Sequence, residues 1–193
     1  MPIEYENRRG DRYYVLEGRT KTGKPKYYCS KKAQGVRVER MPDGFEIYEN
    51  PRDAVVVIRR VRTSPILPIE KEMLEKWLRE YAAEAPSIVE INGAALVVYS
   101  ADIDPDRMTA MMGLVEANRR SKEAKTYILR QSTYSPMFRF ELIDEEERLY
   151  AVQRWCFSSA IDDWYFLGGG APLEVLAREY LPHLGKESFF ELM

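Results

Sequence analysis

Fifteen residues near the N-terminus, GRTKTGKPKYYCSKK over 18–32, carry six Lys or Arg and no acid. Cations on a short arm neutralise phosphates, and tyrosine rings offer surfaces on which bases stack. Arg19, Lys21, Lys24, Lys26, Lys31 and Lys32, with Tyr27 and Tyr28, are therefore candidate polyanion-binding residues, and Tyr13 and Tyr14 are further rings on the preceding run. The competing reading is a charged edge hairpin, whose lysines discourage strand-to-strand aggregation and whose tyrosines are core.

Other residue sets have weaker chemical patterns. Asp102, Asp104 and Asp106 in DIDPD have the alternate spacing of an oxygen-rich Mg²⁺ or Ca²⁺ loop. The EF-hand pattern fails there, because Arg107 stands where that loop needs glycine and Gly113 where it needs the bidentate glutamate. Helix capping accounts for the same acids. Gly168, Gly169 and Gly170 in FLGGGAPLEVLA lie between a strand and a helix start, where main-chain amides could receive an anion. Neither a Gly-Lys-Ser/Thr loop nor GxGxxG is present, so a tight strand-to-helix turn is the simpler reading. Asp162 and Asp163 are adjacent and on a strand face opposite ways. Ser158, Ser159 and His183 lack both a G-x-S-x-G elbow and a local acid, and His183 reads as a helix C-terminal residue. Phe189, Phe190, Leu192 and Met193 make an apolar terminus, either docked on its own sheet or in contact with a partner or a second copy.

Composition narrows the classes. With 193 residues, 45% of them apolar, the chain can bury a core as one domain or two small ones. It has no run of eighteen apolar residues, and its first thirty residues are charged where a signal peptide is apolar, so a cytoplasmic protein with no membrane partner is expected. Cys29 and Cys156 are too few and too distant for a zinc site or disulfide framework and are expected to be buried thiols. A single histidine excludes a multi-His metal site within one chain. Residues 1–65 hold 15 Lys/Arg against 9 Asp/Glu, and residues 66–193 hold 14 against 22, a division of +6 and −8. Such a split points to a polyanionic partner or to mutual attraction of the halves.

The elements that must position these residues follow from periodicity and turn residues. From Arg12 to Val61, RYYVLE, KYYCSK, VRVER, FEIY and AVVVIRRV read as five strands of an antiparallel meander, the last covered on both faces. TSPILP is an extended connector over 63–68, separating a basic module at 1–62 from an α+β domain at 69–193. There, Ile69, Met73, Trp77, Leu78 and Tyr81 mark a helix face, and Asn92-Gly93 a hairpin. Asp104 caps a second helix with Met108, Met111, Met112 and Val115 as its buried stripe. NRRSKEAK reads as a connection, followed by strands TYILRQS, MFRFELI, RLYAVQRWCF and WYFL and a third helix with Leu173, Leu176, Ala177, Tyr180 and Leu181 inward. The order αββαββββα argues for an antiparallel sheet with helices on one face, hence an α+β fold.

GDRYYVLEG, KTGKPKYY and MPDGFEIYENP, between Asn7 and Asp53, together resemble a recurrent N-terminal segment of uncharacterised bacterial proteins. The resemblance implies a bacterial cytoplasmic protein and brings no activity with it. The expected function is binding rather than catalysis, with no cofactor: the basic hairpin meets nucleic acid or another polyanion, an acidic protein surface included. One alternative is a protein-interaction or chaperone-like module using the C-terminal sheet and apolar tail, with a homodimer among its outcomes. A second is a carboxylate-dependent metal enzyme built on Asp102, Asp104 and Asp106.

Overall fold

The run RYYVLEGR places large side chains on both sides of an extended chain, and it becomes the middle strand of a small sheet. The computed structural model describes residues 1–114, 119–158 and 161–192, with backbone alone at 157, 158 and 161. The chain divides into two units, Met1–Arg62 and Thr63–Met193.

In the first unit, β1 (Glu4–Glu6), β2 (Arg12–Arg19), β3 (Pro25–Ser30) and β4 (Val36–Arg37) form one antiparallel sheet. β5 (Phe45–Glu49) and β6 (Val56–Arg60) form a separate two-stranded sheet. β3 lies on one side of β2, while β1 and β4 share the other, with Tyr5 opposite Tyr13 and Leu16 opposite Arg37. VRVER therefore pairs as a strand only at Val36 and Arg37, because the segment from Ile3 already occupies part of that edge: Val15 N donates to Ile3 O at 3.2 Å. AVVVIRRV is not covered on both faces either. Val56 is 3% exposed, whereas Val55 and Val57 are 47% and 40% exposed, as expected of a two-stranded sheet with one packed face.

Buried Asn7 ties the two sheets of this unit together: its Nδ2 donates to Ala54 O at 2.9 Å, and its Oδ1 accepts from Asp11 N at 2.8 Å. Glu49 accepts from Tyr5 OH at 2.9 Å and from Arg8 N at 3.2 Å. Burial, reinforced by the hydrogen bond to this carboxylate and its charge, pushes the Tyr5 phenol up to about 12.

The second unit is α+β. Its five-stranded antiparallel sheet has the order β11-β10-β9-β8-β7, formed by β7 (Ser87–Asn92), β8 (Ala95–Ala101), β9 (Tyr134–Asp144), β10 (Leu149–Ser158) and β11 (Ile161–Pro172). Helix α1 (Pro68–Tyr81) and helix α4 (Leu173–Tyr180) supply Leu74, Trp77, Leu78, Leu176 and Ala177 to the core, which they share with Phe138, Phe140, Tyr150 and Val152 of the sheet. Period two in β9 is realised, with Phe138, Phe140 and Leu142 buried and Arg139 half-buried between them. In α1 the buried stripe runs through Leu74 rather than Ile69 and Met73, which are 53% and 38% exposed.

Two helices depart from the sequence reading. Helix α2 (Pro105–Met111) is capped by Asp104, which accepts from Asp106 N at 2.8 Å and Arg107 N at 3.1 Å. It buries Pro105 and Thr109, whereas Met108, Met111 and Met112 are 37%, 75% and 62% exposed; Val115 lies outside the described residues. TYILRQS belongs to helix α3 (Arg119–Gln131) rather than to a strand, so the order is αββααβββα. No Gly or Pro interrupts this segment, and Ser121, Ala124, Lys125, Ile128 and Leu129 turn inward at the helical spacing i, i+3, i+4, i+7, i+8.

Candidate polyanion-binding site

The basic run forms the β2–β3 hairpin, with Gly18 opposite Lys26 and Arg19 opposite Pro25. Its tip is closed by Thr20, whose N–H donates to Lys24 O at 2.8 Å and whose Oγ1 accepts from Lys24 N at 3.1 Å. Lys21, Lys24 and Lys26 are all exposed, as is Arg19. An ordered turn thus holds three lysines outward without an acid between Gly18 and Lys32.

Alternation separates the two tyrosines. Tyr27 shares a face with Val15 and Cys29 and meets Phe45 edge-on, with ring centroids 5.6 Å apart. Tyr28 faces the other way, beside Tyr14, Leu16, Lys26 and Arg37, and is 38% exposed. Its ring lies across Gly18, where an added methyl would stand 3.3 Å from Tyr28 Cε1, and its hydroxyl reaches toward Gly35. Gly18 therefore lets an aromatic ring lie against the strand with its outer side in solvent.

Two further cations are engaged with rings. The Arg37 guanidinium lies 4.9 Å from the Tyr14 ring centroid, on the face of Tyr28. Lys31 bonds Asp11 at 2.8 Å and lies 5.6 Å from the Tyr13 ring, and the hydrogen bond to its ammonium holds the Asp11 carboxyl below the usual range. Lys32 is exposed. Of the candidate set, Lys26 and Tyr28 share one face, Arg19, Lys21 and Lys24 border the tip, and Tyr27 turns inward. Arg37 was outside that set; its alternation with Val38, which is buried, is the signal that could have found it. Burial pushes the Cys29 thiol up to about 11, which suits packing rather than nucleophilic chemistry.

The other candidates have structural employment. Gly168, Gly169 and Gly170 lie inside β11, not in a turn at the helix start; a methyl on Gly168 would stand 2.9 Å from Tyr180 OH, and one on Gly169 3.0 Å from Ala151 Cα. Asp102 accepts from Thr133 Oγ1 at 2.6 Å, Asp104 caps α2, and Asp106 pairs with Lys125. Among the described residues, no group of three His, Cys, Asp or Glu converges as a metal site, and no helix is long and apolar enough to cross a membrane. His183 Nδ1 lies 2.9 Å from Ser188 Oγ; Ser159 and the Ser158 side chain are outside the described residues. Phe189 is fully buried against Phe138, with centroids 5.1 Å apart, Leu192 packs on the same core, and Phe190 is 61% exposed. Met193 lies outside the described residues.

Comparison with protein-family models, with curated proteins and with solved structures gives no match.

Proposed function

We propose that the chain binds nucleic acid through the β2–β3 hairpin. The observation that carries this reading is the Tyr28 ring, laid across Gly18 and exposed on the face that bears Lys26 and Arg37, beside an acid-free tip. Cations at the tip supply a sequence-independent attraction to phosphate, and a flat exposed ring supplies a stacking surface. An acidic protein surface would use the same lysines but would have no need of the ring.

The test is a salt series with fluorescently labelled single-stranded and duplex oligonucleotides. Each phosphate contact contributes about 0.9 to the slope of log K against log salt on duplex and about 0.7 on a single strand. Replacing Lys21, Lys24 and Lys26 with Ala should therefore lower the slope by about 2 to 3. Tyr28→Ala should weaken single-strand binding by about 1–3 kcal/mol for one stacked base while leaving the slope unchanged. No binding at low salt, or binding indifferent to salt, would overturn the assignment.

A further inference from the structure

An open groove of the second unit, with a volume of about 320 Å³, runs between α1 and the edge strand β7. Lys71, Glu75 and Arg79 of α1, with Ala82 just past its end, line one side, and Ser87 and Val89 of β7 line the other. We propose that this groove receives an extended peptide as a sixth strand of the sheet, with a carboxylate of that peptide against Arg79.

The hydrogen-bond parity of β7 supplies the first part of the argument. Ala101 N donates to Pro86 O at 2.9 Å, and the β7–β8 register runs without a shift from Ser87 opposite Ser100 to Asn92 opposite Ala95. In an antiparallel pair, alternate residues turn their main-chain groups toward the partner, so Ile88, Glu90 and Asn92 face β8. Ser87, Val89 and Ile91 therefore turn their N–H and C=O groups away from it, toward the open side. Among the described residues β7 pairs with β8 alone. Three outward residues span about 13 Å of strand, room for a five-residue segment. The sequence SIVEIN contains neither the proline nor the lysine that commonly blocks such an edge.

The helix wall defines the kind of peptide. Lys71 and Glu75 satisfy each other at 3.7 Å, whereas Arg79, in the last turn of α1, has no ion pair among the described residues. The groove is left with one exposed guanidinium, which favours a carboxylate. Ala82 and Ala85 make a low floor beneath the start of β7, where alternate side chains of an added strand have space. Main-chain pairing would supply affinity and the helix wall selectivity, as in other cases of strand addition beside a helix.

The test is selection of a phage-displayed random octapeptide library on the full chain, then titration of the synthesised consensus peptide at physiological salt. We expect a consensus with alternating β-branched residues and one Asp or Glu. Binding should fall at least about tenfold in Arg79→Glu, an exposed position, and in Ser87→Pro, which removes one outward N–H from an edge where proline is tolerated. Amide resonances of Ser87, Val89 and Ile91 should shift more on titration than those of Ile88 and Glu90. The Lys21, Lys24 and Lys26 alanine variant should bind the peptide as the parent does. Failure to select a consensus, binding indifferent to both variants, or shifts confined elsewhere would overturn the proposal. Concentration-dependent dimerisation that protects the same three amides without peptide would overturn the assigned occupant in favour of a second copy.

Discussion

Arg148 adopts φ +52° in the β9–β10 turn and reaches back to the start of α1. Its guanidinium holds Glu70 through both carboxylate oxygens, with Nε to Oε1 at 3.0 Å, and donates to Pro65 O at 3.3 Å. Burial alone would raise the Glu70 carboxyl, but the hydrogen bonds from Arg148, Leu67 N and Tyr150 hold it below the ordinary range. A carboxyl lowered by folding stabilises the native state above its unfolded value and loses that contribution as pH falls through the folded one. Glu70→Gln should therefore flatten the loss of stability on acidification below about pH 4.3, as read by urea unfolding across pH. Arg148→Ala should cost roughly 2 kcal/mol at neutral pH through lost charge-assisted hydrogen bonds.

The glycines of β11 give a graded comparison at the same scale. Gly169→Ala sets a methyl against the Ala151 backbone, which cannot move without disturbing the β10 ladder, and should cost about 1–3 kcal/mol. Gly168→Ala meets only the end of the Tyr180 side chain and should cost less. Urea midpoints of the two variants rank them, and equal losses would mean that close approach to Ala151 is not what requires the glycine.

At the scale of elements, apolar type and apolar burial diverge most in α1 and α2. Ile69 and Met73 have helical spacing, yet Leu74 fills the core, because a helix with apolar residues on more than one face is oriented by the surface it meets. Leu74→Ala should cost about 2–5 kcal/mol and Met111→Ala less than about 0.5 kcal/mol, the reverse of a buried methionine stripe. The cap of α2 was legible, since Asp followed by Pro is a strong local start signal realised by two hydrogen bonds from the following amides. α3 was hidden because TYILRQS, taken alone, has β-branched and aromatic residues; its helical face becomes visible only when the window extends back to Ser121. The Asn92-Gly93 hairpin and the alternation of β9 are local patterns, and both are present in the fold.

At the scale of the whole molecule, the units Met1–Arg62 and Thr63–Met193 carry the formal charges of +6 and −8. The second unit has its own core of α1, α4 and five strands. A chain beginning at Thr63 should therefore unfold cooperatively in urea and show no salt-dependent nucleic-acid binding, whereas binding by that fragment would move the site off the hairpin. Sequence alone determined the α+β class, the hairpin punctuation and the concentration of cations at 18–32, because turn chemistry, alternation and charge are properties of neighbouring residues. Tertiary structure decided which tyrosine faces solvent, which residues of α1 and α2 are buried, and that the β7 edge lies open beside Arg79. Those outcomes depend on which surfaces meet across tens of residues, a matter of packing that local sequence patterns do not encode.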